Sequence, residues 1–263
     1  MLKFAANLTF LFREAPFLER FARARQCGFR YVEFHNPYPF CEDIDAISDA
    51  KDAQGVEIVH FNLPGGDWAA GERGIAGWPD RCETFRTGVS ETVATARTLG
   101  CRQLNCPVGY LRDDFSPGEQ HRCLVENLRW AAEHAAEAGI TLLVEPLNPV
   151  THPGYALTTT AQARALLAQV NHPNLKIQYD FFQMQRAEGD LIETVRANLA
   201  YVGFIQLADS PGRHEPGTGE VNYRFLLEAL ANLDFEGYVS LEYQPSGQTE
   251  ASLEWMKAYG VRP

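Results

Sequence analysis

The sequence lacks paired cysteine motifs, and its six cysteines all fall in the first half of the chain. They are Cys27, Cys41, Cys82, Cys101, Cys106 and Cys123. Without a CxxC pair, this set fits neither a zinc knuckle nor the disulfide framework of a small secreted protein. We therefore expect reduced thiols and a cytoplasmic protein.

Long apolar runs are also missing, since no stretch approaches the roughly 18 residues that a membrane span requires. The opening stretch, Met1 to Phe12, places a lysine before apolar residues, but Asn7 and Thr9 interrupt it and no small-residue cleavage site follows. This stretch is predicted to be the first strand and its loop, and not a signal peptide. We expect no membrane association.

Positive charge is scarce, because 23 Lys and Arg residues stand against 34 Asp and Glu residues, for a net charge of −11. This negative field would repel a phosphate backbone, so nucleic acid is excluded as an expected partner. A small molecule is the expected ligand, and a homo-oligomer is compatible with the sequence.

Strand-like and helix-like segments alternate along the whole chain. Short β-rich apolar runs are followed by amphipathic stretches that end at a glycine or another breaker, as in the segment from Pro16 to Cys27, which stops at Gly28. Eight such pairs occur with no break in composition between them. They predict a single domain over residues 1–263, an α/β fold closed as a (β/α)₈ TIM barrel, and argue against an open doubly wound sheet.

Four apolar runs in the second half each end in a side chain that can bind a metal. These side chains are Glu145, Asp180, Gln206 and Glu242. Each run is predicted to be a buried parallel strand with its polar residue at the C-terminal end, where barrel active sites form. A single such residue could equally be an ordinary polar strand end, but four in succession are not expected by chance. Hard oxygen ligands suit Mg²⁺ or Mn²⁺ better than zinc.

This donor set predicts an enzyme that acts on a small hydroxy-carbonyl compound. A divalent cation that binds adjacent carbonyl and hydroxyl oxygens acidifies the C–H bond between them and stabilises the resulting enediolate. We expect Glu145 and Glu242 to be the catalytic acid–base pair, at the ends of the fifth and eighth strands. Asp180 and Gln206 would serve mainly as ligands.

A long glycine-rich loop follows the third predicted strand and runs from Asn62 through Trp68 to Pro79. Loops of this length are commonly lids or binding segments, and glycines allow the backbone to approach a ligand closely. Asn62 and Trp68 are therefore expected to contact the substrate.

The loop after the seventh strand carries Arg213 and His214, both predicted to bind substrate. An arginine here could hold a carboxylate or hydroxyl group, and the alternative is a surface ion pair with a neighbouring glutamate. Two further histidines, His35 and His60, lie at predicted strand ends. Each either faces the site or has a purely structural role.

Five stretches of the sequence match motifs of a known family: FAANL (4–8), NLPGGDWAAGERG (62–74), IQYD (177–180), HEPGTGE (214–220) and EY (242–243). Together they resemble the hydroxypyruvate isomerase family, which includes the 2-oxo-tetronate isomerases and lies within the xylose-isomerase-like barrels. The resemblance runs nearly end to end. It implies one barrel that interconverts hydroxypyruvate and tartronate semialdehyde, or a four-carbon analogue, by proton transfer with Mg²⁺ or a similar ion.

The resemblance also assigns residues. It places the two acid–base glutamates at Glu145 and Glu242, and the metal ligands at these two residues together with Asp180 and Gln206. Three positions after the aspartate of the sixth strand the family usually has a histidine, whereas this chain has Gln183. Glutamine forms hydrogen bonds but cannot become cationic, so we expect Gln183 to bind the substrate with a different orientation or preference.

Several alternatives are open at this stage. A 2-oxo-tetronate isomerase or a ketose 3-epimerase would use the same site on a different substrate, although the long glycine loop with Trp68 favours the hydroxypyruvate branch. A non-catalytic sugar-acid binding module would bind ligand without exchanging its hydrogen. A DNA-repair endonuclease of related fold needs several histidines around zinc, and the negative charge opposes it.

Overall fold

The computed structural model describes residues 2–36 and 43–263. Its eight strands are β1 (Lys3–Asn7), β2 (Tyr31–Glu33), β3 (Glu57–Asn62), β4 (Gln103–Asn105), β5 (Thr141–Val144), β6 (Leu175–Asp180), β7 (Val202–Leu207) and β8 (Tyr238–Leu241). Each strand pairs in parallel with the next one along the chain, and β8 pairs with β1 to close the ring. The predicted (β/α)₈ barrel is confirmed.

Ten α-helices occur within the described residues. They are α1 (Arg20–Gln26), α2 (Ile44–Gln54), α3 (Cys82–Leu99), α4 (Pro117–Glu137), α5 (Thr160–Val170), α6 (Phe181–Ala187), α7 (Leu191–Asn198), α8 (Tyr223–Ala231), α9 (Thr249–Ser252) and α10 (Glu254–Ala258). Short 3₁₀ helices at Phe17–Glu19, Pro79–Arg81 and Leu199–Tyr201 extend α1, α3 and α7. The sequence had not predicted α6, which begins directly after β6.

No described helix combines the length and apolar character that crossing a membrane would require. Five cysteines are free thiols, and the Sγ atoms of Cys82 and Cys123 lie 3.3 Å apart. Two residues named in the sequence predictions, Met1 and Cys41, lie outside the described residues.

Side chains inside the barrel divide into an apolar floor and a polar upper layer. The floor is a small cluster of Ala5, Val59, Leu143 and Phe204. Toward the C-terminal ends of the strands, polar side chains are almost fully buried, among them Asn7, Glu33, His60, Gln178, Asp180 and Gln206. Because alternate residues of a strand point to the same face, the strand ends carry these groups inward. Any site in the barrel therefore opens at the C-terminal ends of the strands.

We call residues 63–78, between β3 and α3, the lid loop. Its Gly74 amide donates to the carbonyl oxygen of Gly65 at 2.7 Å. Gly74 has a φ of +126°, and a Cβ atom there would lie only 2.2 Å from the carbonyl oxygen of Pro107. Gly109 meets Gly74 just as closely from the other side. Contact between two glycines therefore fixes the lid loop against the loop that follows β4.

This contact predicts a difference between two glycines of the lid loop. Gly71 also has a positive φ, +87°, but no atom lies within 4 Å of a Cβ built there. Gly71→Ala should cost about 1–2 kcal/mol of unfolding free energy from the left-handed backbone. Gly74→Ala should cost about 1–3 kcal/mol more, because its methyl group would overlap backbone atoms. Urea unfolding measures both costs, and equal losses would contradict the proposed contact.

Candidate active site

A cavity of about 170 Å³ opens at the C-terminal ends of the barrel strands. Six of the residues predicted to form the site line it: Asn62, Trp68, Glu145, Gln183, Arg213 and Glu242. A larger groove of about 500 Å³ runs beside α3 and the lid loop, but none of the predicted site residues lines it. The smaller cavity is therefore the candidate active site.

The remaining three predicted residues do not line the cavity. Asp180 and Gln206 are each 1% exposed and lie buried next to it. His214 places its Nδ1 atom 2.7 Å from the carbonyl oxygen of Gln244. His214 is thus not among the residues that line the cavity, and its predicted contact with the substrate stays a prediction.

Three carboxyl groups converge beside this cavity. Glu145 follows β5, Asp180 ends β6 and Glu242 follows β8. Burial raises the pKa of Glu145 well above its usual value, and the negative charges of Glu242 and Asp180 raise it further. Burial also raises the pKa of Asp180, to about 7, although Arg213 opposes the shift. The site thus concentrates like charges that repel one another.

Two basic side chains hold Glu242 in its ionised form. The Nε2 atom of His35 lies 2.6 Å from one carboxylate oxygen, and the Arg213 guanidinium forms an ion pair with the other. Burial alone would raise the pKa of Glu242, but Arg213 and His35 together lower it to about 2. Arg213 also lies 3.7 Å from Asp180. Arg213 thus pairs with carboxylates of the site and not with a neighbouring glutamate on the surface, and its contact with substrate stays a prediction.

The loop after β7 fixes Arg213 through its backbone. The buried Asp209 carboxylate accepts hydrogen bonds from the amides of Ser210, Gly217 and Val221, at 2.8–3.1 Å. Arg213 has a φ of +57°, and its amide donates to the carbonyl oxygen of Asp209 at 2.8 Å. A non-glycine residue in this conformation costs about 1–2 kcal/mol, which the surrounding hydrogen bonds offset. The loop therefore directs the positively charged Arg213 side chain into the mouth of the barrel.

Sequence reasoning missed a buried glutamate at the centre of the polar layer. Glu33, at the end of β2, is 0% exposed and accepts hydrogen bonds from Asn7 at 2.9 Å and from Gln206 at 3.0 Å. Its other oxygen lies 2.6 Å from Nδ1 of His60. His60 thus has the structural role that was one of its two alternatives. The only sequence signal for Glu33 was an acidic residue at a predicted strand end.

Glu33 orients the amide of Gln206. Because the Nε2 group of Gln206 donates to Glu33, its carbonyl oxygen lies on the other side and accepts from Gln178 at 2.7 Å. The side-chain carbonyl oxygen of Gln178 is itself buried without a hydrogen-bond partner. The predicted role of Gln206 as a ligand would use its carbonyl oxygen, whose direction Glu33 fixes.

The donor chemistry of the site fits a hard divalent cation. In the arrangement described, no three His, Cys, Asp or Glu side chains of residues 2–36 and 43–263 form a metal-binding group, and Arg213 supplies the compensating charge. One oxygen of Asp180 is nevertheless buried without a hydrogen bond, although Arg213 lies 3.7 Å from it, and Glu145 makes no hydrogen bond to a described residue. Carboxylate oxygens are the ligands that Mg²⁺ or Mn²⁺ prefers.

Neutral polar groups complete the lining. Asn62 accepts a hydrogen bond from Asn105 at 3.2 Å. The carbonyl oxygen of Gln183 accepts from the backbone amide of Asn148 at 3.0 Å, so its amide nitrogen is the part available to a ligand. Trp68 is 48% exposed and carries the Arg73 guanidinium 4.1 Å from its ring centre.

Comparison with known proteins places the whole chain among barrels of one kind. The family model of the xylose isomerase-like TIM barrel matches residues 21–259. The hydroxypyruvate isomerase of Escherichia coli K12 is 48% identical over 259 residues, covering 98% of this chain and 100% of that protein. The 2-oxo-tetronate isomerase of Cupriavidus necator is 39% identical over 260 residues, covering 98% and 99%.

A solved structure agrees in fold over the full length. The crystal structure described as a family 2 AP endonuclease from Brucella melitensis superposes with a TM-score of 0.95 at 40% identity, and each chain covers 100% of the other. The same fold is therefore found in a protein that is described differently from the two isomerases.

The clustered carboxyl groups predict how stability depends on pH in the presence of a chelator. Glu145 and Asp180 have raised pKa values when folded, so between about pH 4.5 and 7 the folded protein binds more protons than the unfolded chain. The free energy of unfolding should therefore fall, by about 1–3 kcal/mol, as the pH rises through this range. Glu242, whose pKa is lowered, acts only below this range.

Glu145→Gln is the matched variant for this measurement, because it removes one of the two raised groups and relieves the other. Urea unfolding at pH 5.0, 6.0 and 7.5 should give a shallower pH dependence for the variant than for the parent protein. Identical slopes would show that Glu145 does not titrate in this range.

Glu33 generates a second prediction. Glu33→Gln replaces an acceptor of three hydrogen bonds with a group that must donate one, so a buried donor loses its partner at a cost of about 1–3 kcal/mol. Glu57→Gln is the control, since Glu57 is exposed on the neighbouring strand β3 and its loss should change stability by less than about 0.5 kcal/mol. Urea midpoints report both values. If the two variants unfolded at the same urea midpoint, the hydrogen bonds to Glu33 would not stabilise the protein as predicted.

Proposed function

The chain belongs to the hydroxypyruvate isomerase family of xylose isomerase-like TIM barrels, and on that premise we propose that it interconverts hydroxypyruvate and tartronate semialdehyde. The chain is an isomerase, because over nearly its full length it is 48% identical to one isomerase and 39% identical to another. The observation that supports the specific reaction is that Glu145 and Glu242 line one small cavity. A four-carbon oxo acid is the alternative substrate.

The reaction needs one base and one acid. Hydroxypyruvate carries its ketone at C2 and its hydroxymethyl group at C3, whereas tartronate semialdehyde carries the hydroxyl at C2 and the aldehyde at C3. A proton leaves C3, an enediolate forms, and a proton is added at C2. Arg213 and His35 favour the ionised form of Glu242, while burial and neighbouring charges favour the protonated form of Glu145. Groups whose pKa values are pushed apart in this way suit acid–base transfer.

A divalent cation completes the proposal, with Glu145, Asp180, Gln206 and Glu242 as the residues that would hold it. When bound, Mg²⁺ or Mn²⁺ supplies charge that polarises a carbonyl group and offsets the clustered carboxylates. The chain's own contribution is orientation. Glu33 fixes the Gln206 amide, and the rigid strand ends fix the carboxylates.

Cavity size supports a small substrate. The volume of about 170 Å³ is well below the roughly 300–1,000 Å³ of pockets that enclose drug-sized ligands. A three- or four-carbon acid suits it better than a ketohexose does. Asn62, Trp68 and Gln183 would contact this acid through amide groups and an aromatic face. The net charge of −11 argues against a DNA substrate.

Deuterium exchange tests the proposal. Incubated with the protein and Mg²⁺ in D₂O, hydroxypyruvate should incorporate solvent deuterium at carbon and should yield tartronate semialdehyde. Proton NMR measures both changes. Glu145→Gln and Glu242→Gln should each lower the rate by roughly 10²–10⁴-fold, because each removes a proton-transfer group. Chelation should stop the exchange, and added Mg²⁺ or Mn²⁺ should restore it.

Glu215→Gln is the control, because Glu215 lies on the loop after β7 but hydrogen-bonds to Ser246 and does not line the cavity. Its rate should match that of the parent protein. Near-normal exchange in either active-site variant would contradict the acid–base assignment. Faster turnover of a four-carbon oxo acid or a ketohexose would reassign the substrate, and ligand binding without exchange would indicate a binding module.

A further inference from the structure

One arginine of the cavity has no acidic partner. Within the described part of the chain, the basic side chains that line the cavity are His35, Arg73, His152 and Arg213. His35 and Arg213 are both engaged by Glu242. Arg73 forms no ion pair with any described carboxylate and hydrogen-bonds only to carbonyl oxygens. Its positive charge is therefore available to a ligand.

The lid loop holds Arg73 in place without neutralising it. Its Nη1 atom donates to the carbonyl oxygens of Glu72 at 2.7 Å and of Trp68 at 3.3 Å, and its guanidinium stacks on the Trp68 ring. The adjacent Glu72 carboxylate is turned away, because it accepts from the amide of Asp67 at 2.6 Å. Nε and Nη2 have no partner among the described residues. An arginine with one face stacked and two donors free suits a planar anion.

Gly74, the next residue, adds rigidity. Its close contact with Pro107 and Gly109 fixes the backbone beside Arg73. The guanidinium is thus positioned before a ligand arrives, which reduces the entropic cost of binding.

The charges around the cavity differ from one end to the other and would orient a charged ligand. Glu145, Asp180 and Glu242 cluster at the strand ends and would repel a carboxylate. Arg73 supplies positive charge from the lid loop, and it acts together with Arg213 on His152, another cavity residue, whose pKa is lowered first by burial and then by these two charges. An acid that presents its hydroxy-carbonyl end to the strand ends would place its carboxylate toward the lid loop.

We propose that Arg73, stacked on Trp68, is the binding subsite for the substrate's carboxylate. This inference rests on the proposed function and deepens it, because it names the group that distinguishes an oxo acid from a neutral sugar. A ketose offers a hydroxyl-bearing carbon at the corresponding position and would leave the guanidinium unpaired. The lid loop thereby selects the substrate class, while the strand ends carry out proton transfer.

The test compares two molecules that differ only at this group. Dihydroxyacetone is hydroxypyruvate with a hydroxymethyl group in place of the carboxylate. Arg73→Gln should raise the KM for hydroxypyruvate roughly 10- to 100-fold, because the substitution removes a charge-assisted hydrogen-bonded pair. The inhibition constant of dihydroxyacetone against hydroxypyruvate should change less than about threefold, and kcat for hydroxypyruvate should fall much less than kcat/KM.

Two further variants separate charge from structure. Arg73→Lys keeps the charge but loses the planar stacking geometry, so its KM should fall between those of the parent and Arg73→Gln. Arg81→Gln is the control, because Arg81 pairs with Glu72 and does not line the cavity, and its KM should be unchanged. Thermal unfolding of each variant checks that the barrel is intact. An unchanged KM in Arg73→Gln, or equal weakening of both molecules, would overturn the proposal.

Direct titration calorimetry distinguishes this failure from failure of the proposed function. If the parent protein does not isomerise hydroxypyruvate, its affinity for that acid can still be compared with the affinity of Arg73→Gln. Weaker binding by the variant would support the carboxylate subsite alone. Equal binding would reject it.

Discussion

Repulsion among three closely placed carboxyl groups is the constraint on which the rest of the site depends. Glu145, Asp180 and Glu242 meet because a closed parallel barrel brings the ends of β5, β6 and β8 to one mouth. In water such groups would stay apart, and inside the barrel their charges are poorly screened. Positive charge must therefore be supplied, and in this arrangement Arg213 supplies it from a loop whose backbone is held by Asp209.

The same constraint explains the polar layer beneath the carboxylates. A buried carboxyl group is tolerated only where hydrogen-bond partners surround it, and the partners of Glu33 are Asn7, His60 and Gln206. These partners come from β1, β3 and β7, so one side chain couples four strands. The layer is consequently rigid, and rigidity is what positions catalytic groups well.

The fold could be predicted, and so could the position of Glu145 and Asp180 at the ends of strands, because these signals are local. A short apolar run that ends in a polar residue can be recognised within a few residues of the chain. Glu33 could not be recognised in this way, because β2 has only three residues and the partners of Glu33 lie 26, 27 and 173 positions away. The short helix α6 was missed because its first four residues are all buried, which removes the amphipathic period.

Arg213 and His214 show why neighbours in sequence can have different roles. The sequence placed both in one loop and assigned both to the substrate, yet a left-handed backbone at Arg213 sends its side chain into the barrel, while the ring of His214 binds the Gln244 carbonyl. Side-chain direction in an irregular loop depends on dihedral angles and distant hydrogen bonds. Neither follows from a motif, so loop residues need a structure before roles are assigned.

Gln183 shows how one substitution can change the way a ligand is held. The family histidine that Gln183 replaces could have carried a positive charge, and a glutamine cannot. In this chain Gln183 is anchored by Asn148, whereas Arg73, the cavity arginine without a carboxylate partner, belongs to a stretch of the lid loop that the chain shares with the family. The charge of Arg73 is thus separate from the charge that position 183 lacks, and under the proposed function the substitution concerns ligand binding and leaves the carboxyl groups at the strand ends in place.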